Sequence, residues 1–263
     1  MKKEETFESK KARVARFNAI DDTFLHKLFE DRGACEDIIR IILDNNSIKV
    51  VDNRVQYSLK NIAGHSVILD ALCTDSTGRY FNIEVQKADN DNHIKRARYN
   101  AACVTTNTFS VGEKYELVPD VTVIYISTFD IFKQGKILYR ASMKLDDTFE
   151  EVNDGIVEYF VNTVVKSNSV LGELMEYFVN TNGVNRNFPR LSERVKELKE
   201  SEGGIATMCE IMEQERTEGR TEGKMETLFD LVNDGLLTNG QAAMRLDLSP
   251  EEFDNLLEEY NKG

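Results

Sequence analysis

The stretch from Ser66 to Gln86, SVILDALCTDSTGRYFNIEVQ, constrains this chain more than any other. The polar turn signal from Asp75 to Gly78 separates two runs rich in β-branched and aromatic residues, the pattern of two antiparallel strands joined by a short loop. With the turn centred on Thr77, Asp70 lies opposite Glu84. Gln86 follows Glu84 on the same face, because side chains alternate along a strand, and Ile83 and Val85 point the other way into a core. Two carboxylates held roughly 5 Å apart across a strand pair repel one another unless a cation or a proton sits between them. A divalent metal suits that position. The competing reading is a solvated charged face, which surface hairpins often carry.

At 263 residues and 41% hydrophobic content, the chain can build one substantial core with an appendage, or two small domains. No apolar run approaches the length of a membrane span and the start lacks the apolar stretch of a secretory signal, so a soluble, cytoplasmic protein is expected. The four cysteines are scattered without a Cys-x-x-Cys, which argues against disulfides and zinc. A net charge of −13 looks wrong for a nucleic-acid enzyme. Residues 1–100, however, hold 17 Lys and Arg against 16 Asp and Glu, so the acid excess, 30 against 16, falls in residues 101–263. The nearly neutral first part can still bind phosphates through a few placed cations.

Along the chain, the first residues are charged and aperiodic, as in a frayed arm. Asp22 to Phe29 and Cys35 to Leu43 carry apolar residues at helical spacing, with a break near Gly33. Val50 to Leu59 alternates loosely and pairs with the hairpin as a first strand. Asn92 to Phe109 reads as a helix with Lys95, Arg96 and Arg98 in its first turns. Val121 to Ile126 is a continuous apolar run suited to a central strand covered on both faces. Strands over 136–143 and 156–165 follow. This order is that of a mixed α/β sheet with helices packed on it. Residues 169–200 are helical in pattern, and the repeat Arg216–Gly219, Arg220–Gly223 places two glycines where a helix is weakened, as in a flexible stalk or a linker. Ser249, Pro250 and Glu252 form a capping box for a last helix running to about Tyr260.

The ordered set Leu69–Asp70, Asp75 with Gly78, Asn82 to Gln86, Arg96 to Tyr99, and Gly112 with Tyr115 and Leu117 resembles the PD-(D/E)XK nuclease family transposases, the recombination-promoting nucleases, over roughly Asp22 to Thr181. The resemblance implies a restriction-endonuclease-like α/β core, a mixed sheet flanked by helices, with an α-helical C-terminal tail. It divides the chain into an arm at 1–20, a nuclease-like domain at 21–182, a helical stalk or linker at 183–225 and a small helical module at 226–263. It carries the motif aspartate onto Asp70, the following acid onto Glu84, and onto Gln86 the position that is Lys in most of the wider superfamily. A Glu from an upstream helix is implied too, with Glu36 the candidate and Glu30 behind it. Asp70 and Glu84 would bind Mg²⁺, with Mn²⁺ as a substitute, and two carboxylates with a backbone carbonyl suffice for that ion. Gln can orient a water but brings no charge, so slower chemistry or help from another cation is expected. Arg96 and Arg98 are candidates for DNA phosphate contacts, against the reading that they are a solvated helix face.

The expected function is therefore a metal-dependent DNA endonuclease of mobile-element or recombination-promoting type. A catalytically weak or inactive relative, acting as a DNA-binding or protein-interaction module, is the alternative. The last helix carries Glu251, Glu252, Asp254, Glu258 and Glu259, which a phosphate backbone would repel, so the tail is expected to serve self-association or a protein partner rather than DNA.

Overall fold

The computed structural model describes residues 6–59 and 66–261. Its centre is a six-stranded sheet in the order β1-β2-β3-β4-β6-β5, comprising β1 (Val50–Leu59), β2 (Val67–Asp75), β3 (Tyr80–Gln86), β4 (Val121–Ser127), β5 (Leu138–Ala141) and β6 (Ile156–Asn162). The first three strands form an antiparallel meander, β3, β4 and β6 run parallel, and β5 closes the far edge antiparallel to β6. β4 is buried almost throughout, as its unbroken apolar run requires of a strand covered on both faces.

The hairpin turn is fixed by its own side chains. Asp75 accepts hydrogen bonds from the Thr77 and Arg79 amides, at 2.9 and 3.1 Å, and from the Arg79 guanidinium at 2.7 Å. Gly78 takes φ of +85°, a backbone that L side chains rarely adopt. These contacts hold the Asp75 carboxyl below its ordinary range despite its burial, which pulls the other way.

α4 (His93–Thr108), capped by Asn92, makes the crossover from β3 to β4 and lies on one face of the sheet. Its Ala97, Ala101 and Val104 pack with Leu72, Val123, Tyr125 and Phe160. α2 (Asp22–Phe29) and α3 (Arg32–Ile42) cover the opposite face, where Cys35 of α3 meets Cys73 of β2. α3 in turn packs against α5 (Val170–Val179) and α6 (Pro189–Glu200).

The sequence-based outline departs from the structure in several places, among them the strands expected over 136–143 and 156–165, which span 138–141 and 156–162. Residues 7–14, expected as a frayed arm, form helix α1 (Phe7–Val14), started by the Thr6 hydroxyl and anchored by buried Val14. The break between α2 and α3 falls at Glu30–Asp31 rather than at Gly33, because the Asp31 carboxylate caps the Ala34 amide at 2.8 Å. Within the segment read as a stalk, α6 buries Leu191, Val195 and Leu198. The Arg-Thr-Glu-Gly repeat, read as either a helical stalk or a linker, lies inside a continuous helix, α7 (Glu202–Asn233). A helix already nucleated absorbs each glycine for about 1 kcal/mol.

The chain divides into two compact units, 1–206 and 207–263. The second has its own small core of Leu228, Phe229, Ala242, Ala243 and Phe253, built from the end of α7, α8 (Asn239–Arg245) and α9 (Pro250–Tyr260). Both short helices start with full capping boxes, Thr238 with Gln241 and Ser249 with Glu252.

Candidate active site

The β2–β3 ladder runs from Thr74↔Tyr80 to Ala71↔Ile83 and then stops, while β3 stays paired with β4 as far as Gln86↔Ser127. β2 therefore parts from β3 at Asp70, the position facing Glu84 in register. Side chains replace the lost backbone bonds. The Val85 amide donates to Asp70 Oδ2 at 2.9 Å and the Asp70 amide to Glu84 Oε1 at 3.4 Å. The two acids thus meet where a parted pair of strands would otherwise leave unpaired N–H groups.

Glu84 is 2% exposed, and burial followed by the charge of Asp70 pushes its carboxyl up to about 8. Burial also raises Asp70, opposed by the Val85 amide. Asn82, fully buried two residues before Glu84, donates from Nδ2 to Glu84 Oε1 at 2.7 Å, and its own Oδ1 has no partner among the described residues. The pair holds more negative charge than its surroundings neutralise. Arg96 of α4 is the nearest cation, 3.8 Å from Glu84 Oε2.

Gln86 ends β3 half-buried, with its amide donating to Ala88 O at 3.1 Å. Lys87, one residue on, extends to the start of α2 on the other face of the sheet, 3.4 Å from Asp21 and 3.9 Å from Asp22. The charge of Arg98 acts on Glu158 of β6, whose carboxyl burial raises and Arg98 lowers. Both arginines line one cleft of about 700 Å³ with Lys95, Tyr99 and Ile68, two residues before Asp70 on β2.

The structure does not bring Glu36 to this pair. Its Oε2 accepts from the Val50 amide, and Val50 pairs with Asp75 at the turn end of the hairpin. At about 3.3 Å per residue, that end lies about 17 Å along β2 from Asp70. Glu36 is instead bound by Arg190 at 2.8 Å and Arg40 at 2.7 Å, which lower its carboxyl against the opposing effect of burial. Glu30 is exposed and engaged by Lys27 at 2.6 Å.

Two α2 residues that sequence reasoning passed over flank Asp70. His26 and Asp22, one helical turn apart, act on its carboxyl in opposite senses, the first lowering and the second raising it. His26 Nε2 meets the side-chain amide of Gln56. Gln56 lies between the pairs Val55↔Ala71 and Tyr57↔Leu69, so it stands across from Asp70 on the other side of β2. Its φ of +49° is left-handed, a conformation that costs a non-glycine residue about 1–2 kcal/mol. The one signal in the sequence was the i, i+4 spacing of Asp22 and His26 on the polar side of an amphipathic helix.

The family model described as PD-(D/E)XK nuclease family transposase matches residues 9–167, which include β1 to β4, β6, α4 and every residue around the acid pair. The chain belongs to the PD-(D/E)XK nuclease family transposases. No curated protein and no solved structure gave a match. The mixed sheet flanked by helices, with a helical C-terminal region, is the restriction-endonuclease-like fold of this nuclease family.

Proposed function

We propose that this family member is a metal-dependent DNA endonuclease that hydrolyses phosphodiester bonds, with Asp70 and Glu84 as the metal-binding pair. The carrying observation is the buried, mutually repelling pair at the parted end of β2 and β3, where one carboxyl is raised to about 8. A divalent cation would meet the demand that a proton otherwise meets there. Among the described residues no group of three or more His, Cys, Asp or Glu gathers as metal ligands. Two carboxylates with remaining positions taken by water suit Mg²⁺, which keeps several waters, better than an all-protein cage ion. When bound, such an ion would acidify a water and neutralise charge developing on a phosphate.

The chain's own groups have separable tasks around that centre. Asn82 holds Glu84 in orientation through its 2.7 Å bond, and Arg96 offers a cation at the edge of the cleft for a phosphate. Gln86, once released from Ala88 O, can hydrogen-bond a water without adding charge. Lys95 and Arg98, farther along the cleft, supply sequence-independent backbone contacts.

Supercoiled plasmid at low salt, with and without Mg²⁺, tests this reading. Nicking that requires metal and falls at least about 100-fold in Asp70→Ala, with the far-UV spectrum unchanged, is the expected result. A folded Asp70→Ala protein that cuts as well as wild type would overturn the assignment. The absence of an ammonium at position 86 favours the second reading, a weakly active or silent DNA-binding relative. That reading gains if neither Mg²⁺ nor Mn²⁺ moves the melting temperature of the wild type.

A further inference from the structure

The acid pair is flanked unequally. Glu84 has Arg96 beside it from α4, whereas His26 of α2, which no motif of the hairpin includes, meets Gln56, the β1 residue across from Asp70. Gln86 supplies no positive charge, so a phosphate arriving at the pair needs a donor from outside β3. We infer that His26 is a catalytic residue that donates a ring N–H to a non-bridging oxygen of the scissile phosphate, opposite Arg96. This rests on the nuclease reading above.

Three features of the site bear on this. First, His26 is half-buried on the polar side of α2, with Phe24, Leu25, Leu28 and Phe29 buried behind it, so the helix cannot turn its ring elsewhere without exposing that core. Second, the ring is held. The Gln56 side-chain amide meets Nε2, and an imidazole engaged at one ring nitrogen can turn the other toward a ligand. Third, the holder is itself strained. Gln56 takes its left-handed backbone at the one β1 position across from Asp70, between the regular pairs Val55↔Ala71 and Tyr57↔Leu69. A strained residue kept beside an acid pair and engaged with a histidine marks a site whose geometry is maintained at a cost to stability. A structural histidine would need neither the strained strand nor a place beside an uncompensated carboxylate.

Single-turnover cleavage of a short DNA by wild type, His26→Ala and His26→Gln, with the Mg²⁺-induced melting shift of each protein, decides the matter. For His26→Ala the cleavage rate should fall about 100-fold with KM nearly unchanged, as for removal of one donor to a developing charge. Its metal-induced melting shift should equal that of wild type. His26→Gln, which keeps an N–H donor, should recover part of the rate. Cleavage by His26→Ala within about threefold of wild type would overturn the inference alone. So would loss of the metal-induced shift, which would make His26 a support for Asp70. A wild type that cuts no DNA would overturn the nuclease reading and this one with it.

Discussion

At the scale of single residues, the chemistry of the site is dominated by a carboxyl that burial and a like charge keep protonated near neutrality. Glu84 lies at about 8 in the folded chain against an ordinary 4.5, so the native state holds this proton more tightly than the unfolded chain. Its contribution to stability is complete below pH 4.5 and is lost as pH rises through 8. Without divalent metal, the melting temperature should therefore decline between about pH 5 and pH 8 by an amount that Glu84→Gln removes, measurable by scanning calorimetry across that window. Added Mg²⁺ should stabilise more at pH 8.5 than at pH 6, because it displaces the proton. A wild type and Glu84→Gln with identical pH slopes would refute the assignment of that proton to Glu84.

What the sequence made legible at this scale follows from range. Asp70, Glu84 and Gln86 sit within one hairpin whose turn chemistry is local, so counting outward from Thr77 is enough to set them across from one another. Glu36 was unreadable for the opposite reason. Its partner Arg190 lies 154 positions away, and nothing in a helical periodicity distinguishes an acid turned toward a metal from one committed to a distant arginine. The pairing of His26 with Gln56 depends on a left-handed residue inside a strand, which no propensity would anticipate.

At the scale of elements, the Glu36, Asp37 and Arg190 cluster is the joint between α3 and α6. Asp37 accepts from the Arg190 and Leu191 amides, at 2.8 and 3.1 Å, so one acid both caps α6 at its first turn and pairs with its arginine. Arg190 is 38% exposed and water screens part of the interaction. Arg190→Ala should therefore cost about 1–3 kcal/mol, below the figure for a fully buried pair, as read from urea denaturation. Glu36→Gln should lower stability in the same direction while the Mg²⁺-induced melting shift stays intact. A lost shift would return Glu36 to the metal-binding set.

The sheet was legible as elements because β4 reads as an unbroken apolar run and β1 to β3 as a meander. Helix α1 was not, since its only buried residue is Val14 and most of the rest is charged. The integrity of α7 through Gly219 and Gly223 was equally hidden. Local propensity speaks against it, and helix continuity is decided by nucleation on either side.

For the whole molecule, the two units carry separate cores, and residues 213–224, in the part of α7 that belongs to the second unit, are all exposed. A helix segment that is polar all round, with two glycines, buries no side chain that would protect it and opens locally at low cost. Limited proteolysis with a Glu- or Arg-specific enzyme should cut first within 213–224 and release two fragments, identifiable by mass spectrometry. First cuts inside 1–206 would refute this.

Two amides at the parted strands hang on side chains instead of carbonyls, and that of Val85 is the one bound to Asp70. Its proton is therefore a built-in spectroscopic reporter. Whatever competes for the Asp70 carboxylate, whether a cation or an added proton, must weaken that one bond while the β3–β4 ladder around it stays closed. A ¹⁵N-labelled sample titrated with Mg²⁺ should show a chemical shift change at Val85 larger than at Ile83, whose backbone pairing does not involve the acid.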